Sequence, residues 1–554
     1  MTFPWLALGA FGAAALAFAM ARVTRQYALA AIAGSGVILL LHGPLYFHYT
    51  SDDAYISYRY ARNFAGGAGL VWNRGDWVEG YSNFLWVLTL AGVRKLGVDL
   101  VFGGRWLGFA LAVLGGAGTY VLSTRLLGGA AGRAAGLAAA LLLAAFGPWA
   151  AWSSAGLEGP LFAALVLAAV LLHLREADAP HAPPISGAVW ALATLTRPDG
   201  VVLFAISGAF KLGEAIVRRR DAAGSSPMRR AAIALAAWAA GFAVIFAPYW
   251  VWRWIAYDSF FPNTYYAKVG SGIDQYRRGL HYFASFSREY AAWLLLLAPM
   301  AAALTSIRRG PLLYVAALPA GWMAYVVYVG GDSLARYRFL APILPLELAA
   351  IAVSGAAIVS ALAAGRNRWL VEGACVAAVA ALFGLALHAS SDDAALPLER
   401  LAVEQRVEIG RWLRDNMPPT ASIAVIPAGA IPYESQLPAI DMLGLSDRHI
   451  AHRDVPMGYL AAGHEKYDSQ YVLDRRPDII ILMDGLSPGP WRARSDYDQL
   501  ASGVIPARVD MIKQDRLWTD YEPRAVQIRE GEWFDLLVRR DARAVLEKTA
   551  PTGP

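Results

Sequence analysis

The chain has 554 residues, 57% of them hydrophobic, and long apolar runs recur along its first 390 residues. Because a helix needs about 20 apolar residues to cross a hydrocarbon core of about 30 Å, this composition predicts a polytopic membrane protein. The formal net charge of +6 hides two regions of opposite charge: residues 1–390 carry 29 Lys or Arg and 17 Asp or Glu, whereas residues 391–554 carry 20 and 26. Membrane topology explains the upstream basic excess better than nucleic-acid binding does. The single cysteine, Cys375, excludes an internal disulfide and a multi-cysteine metal site.

Twelve apolar segments are predicted to span the membrane. The first of them looks like a signal peptide but lacks a positively charged start, so we expect it to be retained as a helix. A shorter apolar segment, residues 83–93, precedes Arg94 and Lys95 and is expected to form an interfacial or re-entrant helix. The predicted spans are residues 3–21, 27–46, 102–124, 132–151, 159–174, 184–197, 199–214, 231–252, 289–306, 311–329, 339–361 and 369–389.

The arginine-rich short loops set the predicted orientation. When segment 83–93 is not counted as a span, these loops all fall on one side, and the positive-inside bias makes that side cytoplasmic. The N-terminus, the first outer loop (about 48–101) and the C-terminal region then lie outside. These outer regions carry many charges of both signs, which the positive-inside bias does not explain. We therefore expect the functional site on the outer face.

The change in charge predicts a domain boundary near Ser390–Leu396. Residues 1–390 are expected to form the transmembrane catalytic domain and residues 391–554 a soluble α/β domain outside the membrane. Helical periodicity covers residues 397–417, and four short apolar runs separated by turn residues are typical of strands. These runs are residues 422–426, 439–443, 478–483 and 534–538.

Two adjacent carboxylates, Asp52 and Asp53, open the first outer loop in the sequence SDDAYISYRYARN. Like charges this close repel each other unless cations or hydrogen bonds compensate. On a helix that starts here, Tyr55, Arg59 and Arg62 share one face. A helix cap formed by Ser51 or Asp52 is the simpler interpretation, but a cap explains only one of the two acids.

Further polar clusters follow other predicted spans on the same face. Each cluster alone is typical of a turn or of an interfacial residue, but several on one face indicate a binding site. Carboxylates accept hydrogen bonds from sugar hydroxyls and aromatic rings stack on sugars, whereas Arg and Lys bind phosphate. The clusters are Glu79, Tyr81 and Asn83; Arg197 and Asp199; Asn263, Tyr265, Tyr266 and Lys268; and Asp332, Arg336, Tyr337 and Arg338.

These residue types predict transfer of a sugar from a lipid-linked phosphate donor. One aspartate of the pair would act as the general base on the acceptor hydroxyl. Cations would stabilise the departing lipid phosphate, and the candidates are Arg59, Lys268, Arg336 and Arg338. Tyr55 and the polar residues of the clusters would contact the sugar or the acceptor. A nucleotide-sugar donor is not indicated, because the sequence has no Gly-rich phosphate loop.

The loop sequence SDDAYISYRYARNFAGGAGLVWNRGDWVEGYSNFLW resembles the first outer loop of GT-C membrane glycosyltransferases. TRPDG, FPNTYYAKV, GGDSLARYRFLAPILPL and AGAIPYESQLPAIDMLGLSDRHIA are similar, in this order, to stretches of the terminal arabinofuranosyltransferases of the mycobacterial cell wall. The resemblance implies a bacterial inner-membrane enzyme with an extracytoplasmic active site, a polyprenyl-phosphate sugar donor and a glycan or other envelope acceptor. It also implies an essential aspartate in the first loop, here Asp52 or Asp53. Asp441, in the last stretch, is a further candidate for contact with the sugar or the acceptor.

Three alternatives stay open at this point. A transporter or flippase of a polyprenyl-linked sugar would place ionisable residues near the middle of spans, where Glu347 is the one plausible acid. A GT-C enzyme could instead modify a protein or a lipid with another sugar. A scaffold that binds glycans without catalysis leaves the acid pair unexplained. A divalent cation is left open as cofactor, since no spacing of His and acidic residues demands one.

Overall fold

The structure is a computed structural model in which the chain divides into two compact units. The helical unit comprises residues 1–49, 104–251 and 279–394, and the sheet unit comprises residues 50–103, 252–278 and 395–554. The sheet unit therefore combines the first loop and a short middle segment with the C-terminal region. The residues that the structure describes are 3–179, 181–220, 226–270, 272–291, 299, 309–362, 368–391, 395–483 and 485–542.

Helices account for most of the described residues up to residue 391. In chain order they are α1 (Phe3–Thr24), α2 (Tyr27–Leu41), α3 (Gly43–Tyr46), α4 (Asp52–Ala65), α5 (Phe84–Lys95), α6 (Leu100–Leu127), α7 (Gly129–Ala145), α8 (Gly147–Ser154), α9 (Gly159–Asp178), α10 (Ser186–Thr196), α11 (Gly200–Arg220), α12 (Ser226–Tyr257), α13 (Asn263–Lys268), α14 (Ile273–Tyr290), α15 (Arg309–Val329), α16 (Leu344–Leu362) and α17 (Arg368–Ser391). Helices α4, α5 and α13 belong to the sheet unit.

Helices and strands alternate beyond residue 394. They are α18 (Ala395–Asn416), β1 (Ile423–Val425), α19 (Ala430–Ser435), β2 (Ala439–Asp441), α20 (Arg448–Ala451), α21 (Ser469–Asp474), β3 (Ile479–Ile481), α22 (Arg494–Tyr497), α23 (Pro506–Lys513), α24 (Asp515–Asp520), β4 (Tyr521–Arg529) and β5 (Glu532–Arg539).

Close helix packing holds the helical unit together. Helix α2 packs between α1 and α7, and α7 also packs against α16. A Cβ atom at Gly34 of α2 would lie 2.5 Å from Leu141 of α7 and 3.0 Å from Ala17 of α1. Small residues let helix backbones approach closely where surrounding lipid gives little hydrophobic driving force. Gly34 is therefore a contact point at which a larger side chain would separate three helices.

Seven described helices are long and apolar enough to cross a membrane, and the bent pair α7 and α8 would bring the number to eight. Pair α7 and α8 bends by 66° at Phe146, where Pro148 follows in the first turn of α8. Three further predicted spans correspond to apolar helices of 10–17 residues, and the segment 289–306 lies mostly outside the described residues. A polytopic membrane protein is thus supported, but the predicted count of twelve spans is not confirmed.

Helix α5 covers the segment predicted to be interfacial or re-entrant. Its twelve residues extend about 18 Å at a rise of 1.5 Å per residue. That length falls short of the hydrocarbon thickness of about 30 Å. The helix lies in the sheet unit, where it packs against α4.

The sheet unit is built around a five-stranded mixed sheet in the order β2-β1-β3-β5-β4. Strand β1 pairs in parallel with β2 and β3, and β5 pairs antiparallel with β3 and β4. Ile440, Ile480 and Leu537 of three strands pack with Met511 of α23 and Leu517 of α24 in one apolar core. The four apolar runs expected to be strands overlap β1, β2, β3 and β5, whereas β4 is an additional edge strand with a mostly half-buried, polar sequence.

Candidate active site

Helix α4 begins at the acid pair. Ser51 occupies the N-cap position with an extended backbone (φ −66°, ψ 142°), but its side chain makes no capping hydrogen bond. Asp52 and Asp53 fill the first turn, where the partial positive charge of a helix N-terminus favours carboxylates. The capping interpretation is therefore wrong for Ser51, and the contacts of the two acids have to be considered separately.

Asp52 binds the start of another helix. Its Oδ2 accepts a hydrogen bond from the backbone N–H of Gly429 (3.1 Å), and its Oδ1 accepts one from that of Ala430 (3.1 Å). These two residues form the N-terminus of α19, whose first N–H groups have no partner within the helix. Arg406 of α18 lies 3.5 Å from Oδ1. Asp52 is thus held by two backbone donors and one cation.

Asp53 lies beside a different cation. Its Oδ2 is 3.8 Å from Nζ of Lys268, the last residue of α13, and both side chains are 27% exposed. Each acid of the pair therefore has its own nearby positive charge, Arg406 for Asp52 and Lys268 for Asp53. This arrangement offsets the repulsion between two adjacent carboxylates.

Asn263, at the start of α13, joins the other two segments of the unit. Its Nδ2 donates to the backbone oxygens of Gly444 (2.8 Å) and Leu445 (3.0 Å), and its backbone N–H donates to the carbonyl of Glu79 (3.0 Å). Asn263 is buried. The sheet unit therefore brings together FPNTYYAKV, the first loop and DMLGLSDRHIA, three stretches far apart in sequence.

Tyr265 and Tyr266 extend from the same short helix. Tyr265 is 38% exposed and its ring lies 4.5 Å from that of Phe261. The Tyr266 ring lies 4.2 Å from the ring of His452. Tyr265 and Tyr266 lie three and two residues before Lys268, the cation beside Asp53. They are therefore the predicted aromatic sugar contacts that stay candidates near this acid.

The three predicted ligands of the first loop, Glu79, Tyr81 and Asn83, are buried and bonded within the sheet unit. Arg253 forms a buried salt bridge with Glu79 and donates to it from Nε (2.9 Å). The hydroxyl of Tyr81 lies 3.0 Å from that of Tyr257, and Asn83 Nδ2 donates to Ser57 Oγ (3.0 Å). These contacts stabilise the loop and argue against direct contact of the three side chains with a substrate.

Arg59 also stabilises the fold. It is buried, its Nε donates to Trp72 O (2.7 Å) and its Nη2 donates to Leu437 O (2.8 Å), while Nη1 donates to Pro432 O. Burial, together with the charge of Arg62, lowers the pKa of Arg59 to about 9. All three guanidinium nitrogens donate to groups of the protein, so this buried side chain has a structural role, which argues against the predicted phosphate contact.

The predicted common face of α4 meets the segment that contains α19. The Tyr55 ring lies 5.5 Å from the ring of Tyr433, and Arg62 Nη1 donates to Tyr433 O (2.7 Å). Tyr55 is buried, so this contact is internal. Residues 55, 59 and 62 therefore share one face, as their spacing predicts, but that face packs inside the unit.

Asp441 lies at the end of β2 and is fully buried. Its Oδ1 accepts from Leu443 N (3.0 Å) and its Oδ2 from Ser446 N (2.7 Å). Burial raises the pKa of Asp441 to about 7, against the opposing effect of these hydrogen bonds. The carboxyl holds the DMLGLS turn, which argues against the predicted contact with sugar or acceptor.

The remaining predicted ligands form ion pairs inside the helical unit. Arg197 binds Glu158 (Nη1–Oε1 2.8 Å) and Asp199 (Nη2–Oδ2 2.8 Å), with all three residues buried. Arg338 binds Asp332 through two nitrogens (2.7 and 2.9 Å). The predicted phosphate ligand Arg338 and the predicted sugar ligand Asp332 are thus partners of each other.

Arg336 joins the loop after α15 to the end of α17. Its Nη1 donates to the carbonyl of Ala389 (2.6 Å) and lies 3.3 Å from Glu289 Oε1, which leaves the side chain buried. The hydroxyl of the adjacent Tyr337 donates to Glu289 Oε2 (2.7 Å). Arg336 and Tyr337 therefore stabilise the fold, a role that the sequence did not indicate.

Three residues near the site were not predicted from the sequence. Gly429 approaches Asp52 so closely that a Cβ atom on it would lie 2.0 Å from Asp52 O and 2.5 Å from Asp52 Oδ2. Arg406 is one of several arginines on α18, and Arg253 lies within an apolar run. A glycine just before the short helix in PAGAIPY is a usable signal for close backbone approach, whereas neither arginine is distinguished by its local sequence. Among the described residues, no group of three or more His, Cys, Asp or Glu is arranged to hold a metal ion.

Comparison with known proteins bears on this geometry. A crystal structure of ArnT from Cupriavidus metallidurans bound to undecaprenyl phosphate is 15% identical, with a TM-score of 0.51 over 93% of this chain and 98% of that chain. The chain has a GT-C fold. An oligosaccharyltransferase from Archaeoglobus fulgidus is also similar (15% identity, 75% of this chain and 62% of that one), but its TM-score of 0.47 is too low to support an argument.

Sequence comparison also finds a glycosyltransferase. A terminal β-(1→2)-arabinofuranosyltransferase of Mycobacterium tuberculosis is 29% identical over 312 residues, which are 53% of this chain and 46% of that protein. The chain thus spans about half the length of the relative that it matches. Residues 399–533 match a domain of unknown function, DUF8728. Together with the GT-C fold, these likenesses confirm the resemblance to the GT-C superfamily and to its terminal arabinofuranosyltransferases.

Proposed function

We propose that this protein transfers a sugar, arabinofuranose, from a polyprenyl-phosphate donor to a glycan acceptor of the cell envelope. Two likenesses support the proposal: the arabinofuranosyltransferase matches half of the chain, and ArnT, which shares the GT-C fold, binds undecaprenyl phosphate in its crystal structure. The partly exposed Asp53 at the start of α4 and the cation Lys268 beside it supply the chemistry. A GT-C enzyme that modifies a protein or lipid with another sugar would use the same groups.

The observation that carries the proposal is the difference between the two aspartates. Asp52 is held by two backbone N–H groups and by Arg406, so we assign it to positioning. Asp53 keeps 27% side-chain exposure next to Lys268. We therefore assign the general base to Asp53.

The reaction needs one base and one cation. Asp53 accepts the proton of the acceptor hydroxyl while the hydroxyl oxygen bonds to the anomeric carbon of the sugar. The bond between that carbon and the phosphate oxygen breaks, and polyprenyl phosphate leaves with the electron pair. Lys268 would stabilise the negative charge that develops on this phosphate. It is one of the four cations that the sequence suggested for this role.

We further propose a bacterial inner-membrane location with the active site outside the cytoplasm. The arginine-rich loops support this orientation through the positive-inside bias. The twelve-span topology is kept in this proposal, because eleven of the predicted segments overlap a candidate span, the bent pair or a shorter apolar helix. Cysteine labelling of intact cells at positions 74 and 415, whose native side chains are exposed, tests the orientation, and protection of both positions would contradict it.

The function is tested by incubating the purified protein with a panel of polyprenyl-phosphate sugars and measuring the release of polyprenyl phosphate. Asp53→Asn should reduce turnover by roughly 10²–10⁴-fold, the usual contribution of a general base. Asp52→Asn should retain more activity, and Asp415→Asn, which changes an acid with a 61% exposed side chain, serves as control. Wild-type turnover by folded Asp53→Asn protein would refute the assignment.

One observation favours transport as a second candidate function. Glu347 of α16 is buried, and its two carboxylate oxygens have no hydrogen-bond partner among the described residues. An ionisable residue inside a membrane span is costly and is typical of transport pathways. In proteoliposomes, loss of polyprenyl-sugar flipping in Glu347→Gln, without any transferase activity in the wild type, would favour this function.

A further inference from the structure

A basic cavity of about 770 Å³ lies within the sheet unit, away from the acid pair. It is bounded by the C-terminal part of α4, the end of α5 and residues 419–438. Five cationic side chains line it, and none of the described lining residues is acidic. The cations are Arg59, Arg62, Arg74, Arg94 and Lys95.

Two of these cations belong to the wall of the cavity. Arg59 is bonded to backbone carbonyls, and Arg62 donates to Tyr433 O while its guanidinium lies 4.5 Å from the Tyr433 ring centre. Burial and the positive charges of Arg94 and Arg74 lower the pKa of Arg62. Arg74, Arg94 and Lys95 are exposed. The cavity therefore brings exposed cations next to buried or bonded ones, and it has a positive potential that an anion would relieve.

The cavity is separate from the candidate active site. Asp53 lies at the start of α4, whereas Arg62 lies nine residues further along the same helix. At a rise of 1.5 Å per residue this places their backbones about 13 Å apart along the axis. An anion bound among Arg62, Arg74 and Arg94 would therefore not occupy the position of the reacting sugar.

The sequence around the cavity places it near the membrane surface. Gly97 lines the cavity and precedes by three residues Leu100, the first residue of the candidate span Leu100–Leu127. Two apolar side chains on the same segments are exposed, Leu96 by 82% and Phe64 by 39%. Cations next to exposed apolar side chains at the end of a span are typical of segments that contact anionic lipid head groups.

We propose that this cavity binds the phosphate head group of an anionic glycerophospholipid. The cations supply the charge complementarity, and Leu96 and Phe64 would contact the acyl chains next to the head group. A cavity of this size lies in the range that encloses small ligands. The bound lipid would hold α5 and the C-terminal segment of the sheet unit together at the bilayer surface.

The test measures binding of fluorescent phosphatidylglycerol to the purified, delipidated full-length protein in detergent. Replacing Arg94 and Lys95 together by glutamine should weaken the apparent Kd by roughly 30-fold, from about 1 kcal/mol per cation near a lipid surface. The matched control replaces Arg494 and Lys513, exposed basic residues outside the cavity, by glutamine and should change Kd by less than about twofold. Arg74→Gln, expected to weaken binding roughly 5-fold, replaces the double variant if that variant does not fold.

Competition identifies the source of the phosphate. Unlabelled phosphatidylglycerol should displace the probe, and phosphatidylcholine should not, because its head group is neutral overall. Three results would overturn the proposal: equal loss of binding in the variant and the control, displacement by phosphatidylcholine as effective as by phosphatidylglycerol, or displacement by decaprenyl phosphate at lower concentration than by phosphatidylglycerol. The last result would assign the cavity to a polyprenyl phosphate instead.

Discussion

Asp52 accepts a hydrogen bond from the backbone N–H of Gly429 (3.1 Å), a residue 377 positions further along the chain. This contact gives the two adjacent aspartates different environments. One carboxylate is fixed against the start of α19, and its neighbour keeps partial exposure beside Lys268. This difference supports the proposal that Asp52 positions the loop and Asp53 is the reactive acid.

Gly429→Ala should disturb this arrangement. The new Cβ would lie 2.0 Å from Asp52 O, so the start of α4 must move, and a displacement of about 1 Å can cost roughly 10²-fold in rate. We expect a loss of transferase turnover of this order with a lower melting temperature. Gly92→Ala is the control, because a Cβ at that helical position meets nothing within 4 Å. Equal activity of the two variants would contradict the proposed coupling.

The sequence predicts the secondary-structure elements of this protein better than it predicts the hydrogen-bond partners of its side chains. Short strands buried on both faces are continuous apolar runs, which is why β1, β2, β3 and β5 coincide with predicted segments, whereas the polar edge strand β4 has no such run. Arg59 is chemically suited to phosphate, but its acceptor Leu437 O lies 378 residues away. Residue type indicates what a side chain can bind, and only the fold determines which partner reaches it.

Glu79→Gln tests the buried ion pair with Arg253. Both side chains are almost completely buried, so removal of one charge leaves the other uncompensated, at a cost of about 3–5 kcal/mol. We expect a large decrease in melting temperature, measured by tryptophan fluorescence. Glu408→Gln breaks the pair with Arg529, whose side chains are 38% and 34% exposed, and should cost at most about 1 kcal/mol. Similar shifts in both variants would show that the buried Glu79–Arg253 pair contributes no more to stability than the exposed Glu408–Arg529 pair.

Lys268→Met tests the cation next to Asp53. The substitution keeps an apolar chain where Cγ and Cε of Lys268 approach Gly463, but removes the charge proposed to stabilise the leaving phosphate. Removing one such electrostatic contact costs roughly 10²–10³-fold in kcat. Lys268→Arg, which retains the charge, should recover much of the activity. A neutral variant with normal kcat on a polyprenyl-phosphate sugar would exclude Lys268 from this role.

The pH dependence of stability should report on Asp441. Burial raises its pKa to about 7 in the folded protein, above the value of about 3.9 for an unfolded chain. Between about pH 4 and pH 7 the folded state therefore holds more protons than the unfolded state, and stability falls as the pH rises through this window. Asp441→Asn removes the titration, so its melting temperature should decrease less between pH 5 and pH 8 than that of the wild type. At pH 5 its melting temperature should be lower than that of the wild type, because one amide oxygen cannot replace both acceptor oxygens. Asp415→Asn should keep the wild-type slope, since its side chain is 61% exposed. Parallel curves for wild type and Asp441→Asn would show that this carboxyl does not titrate within the folded protein.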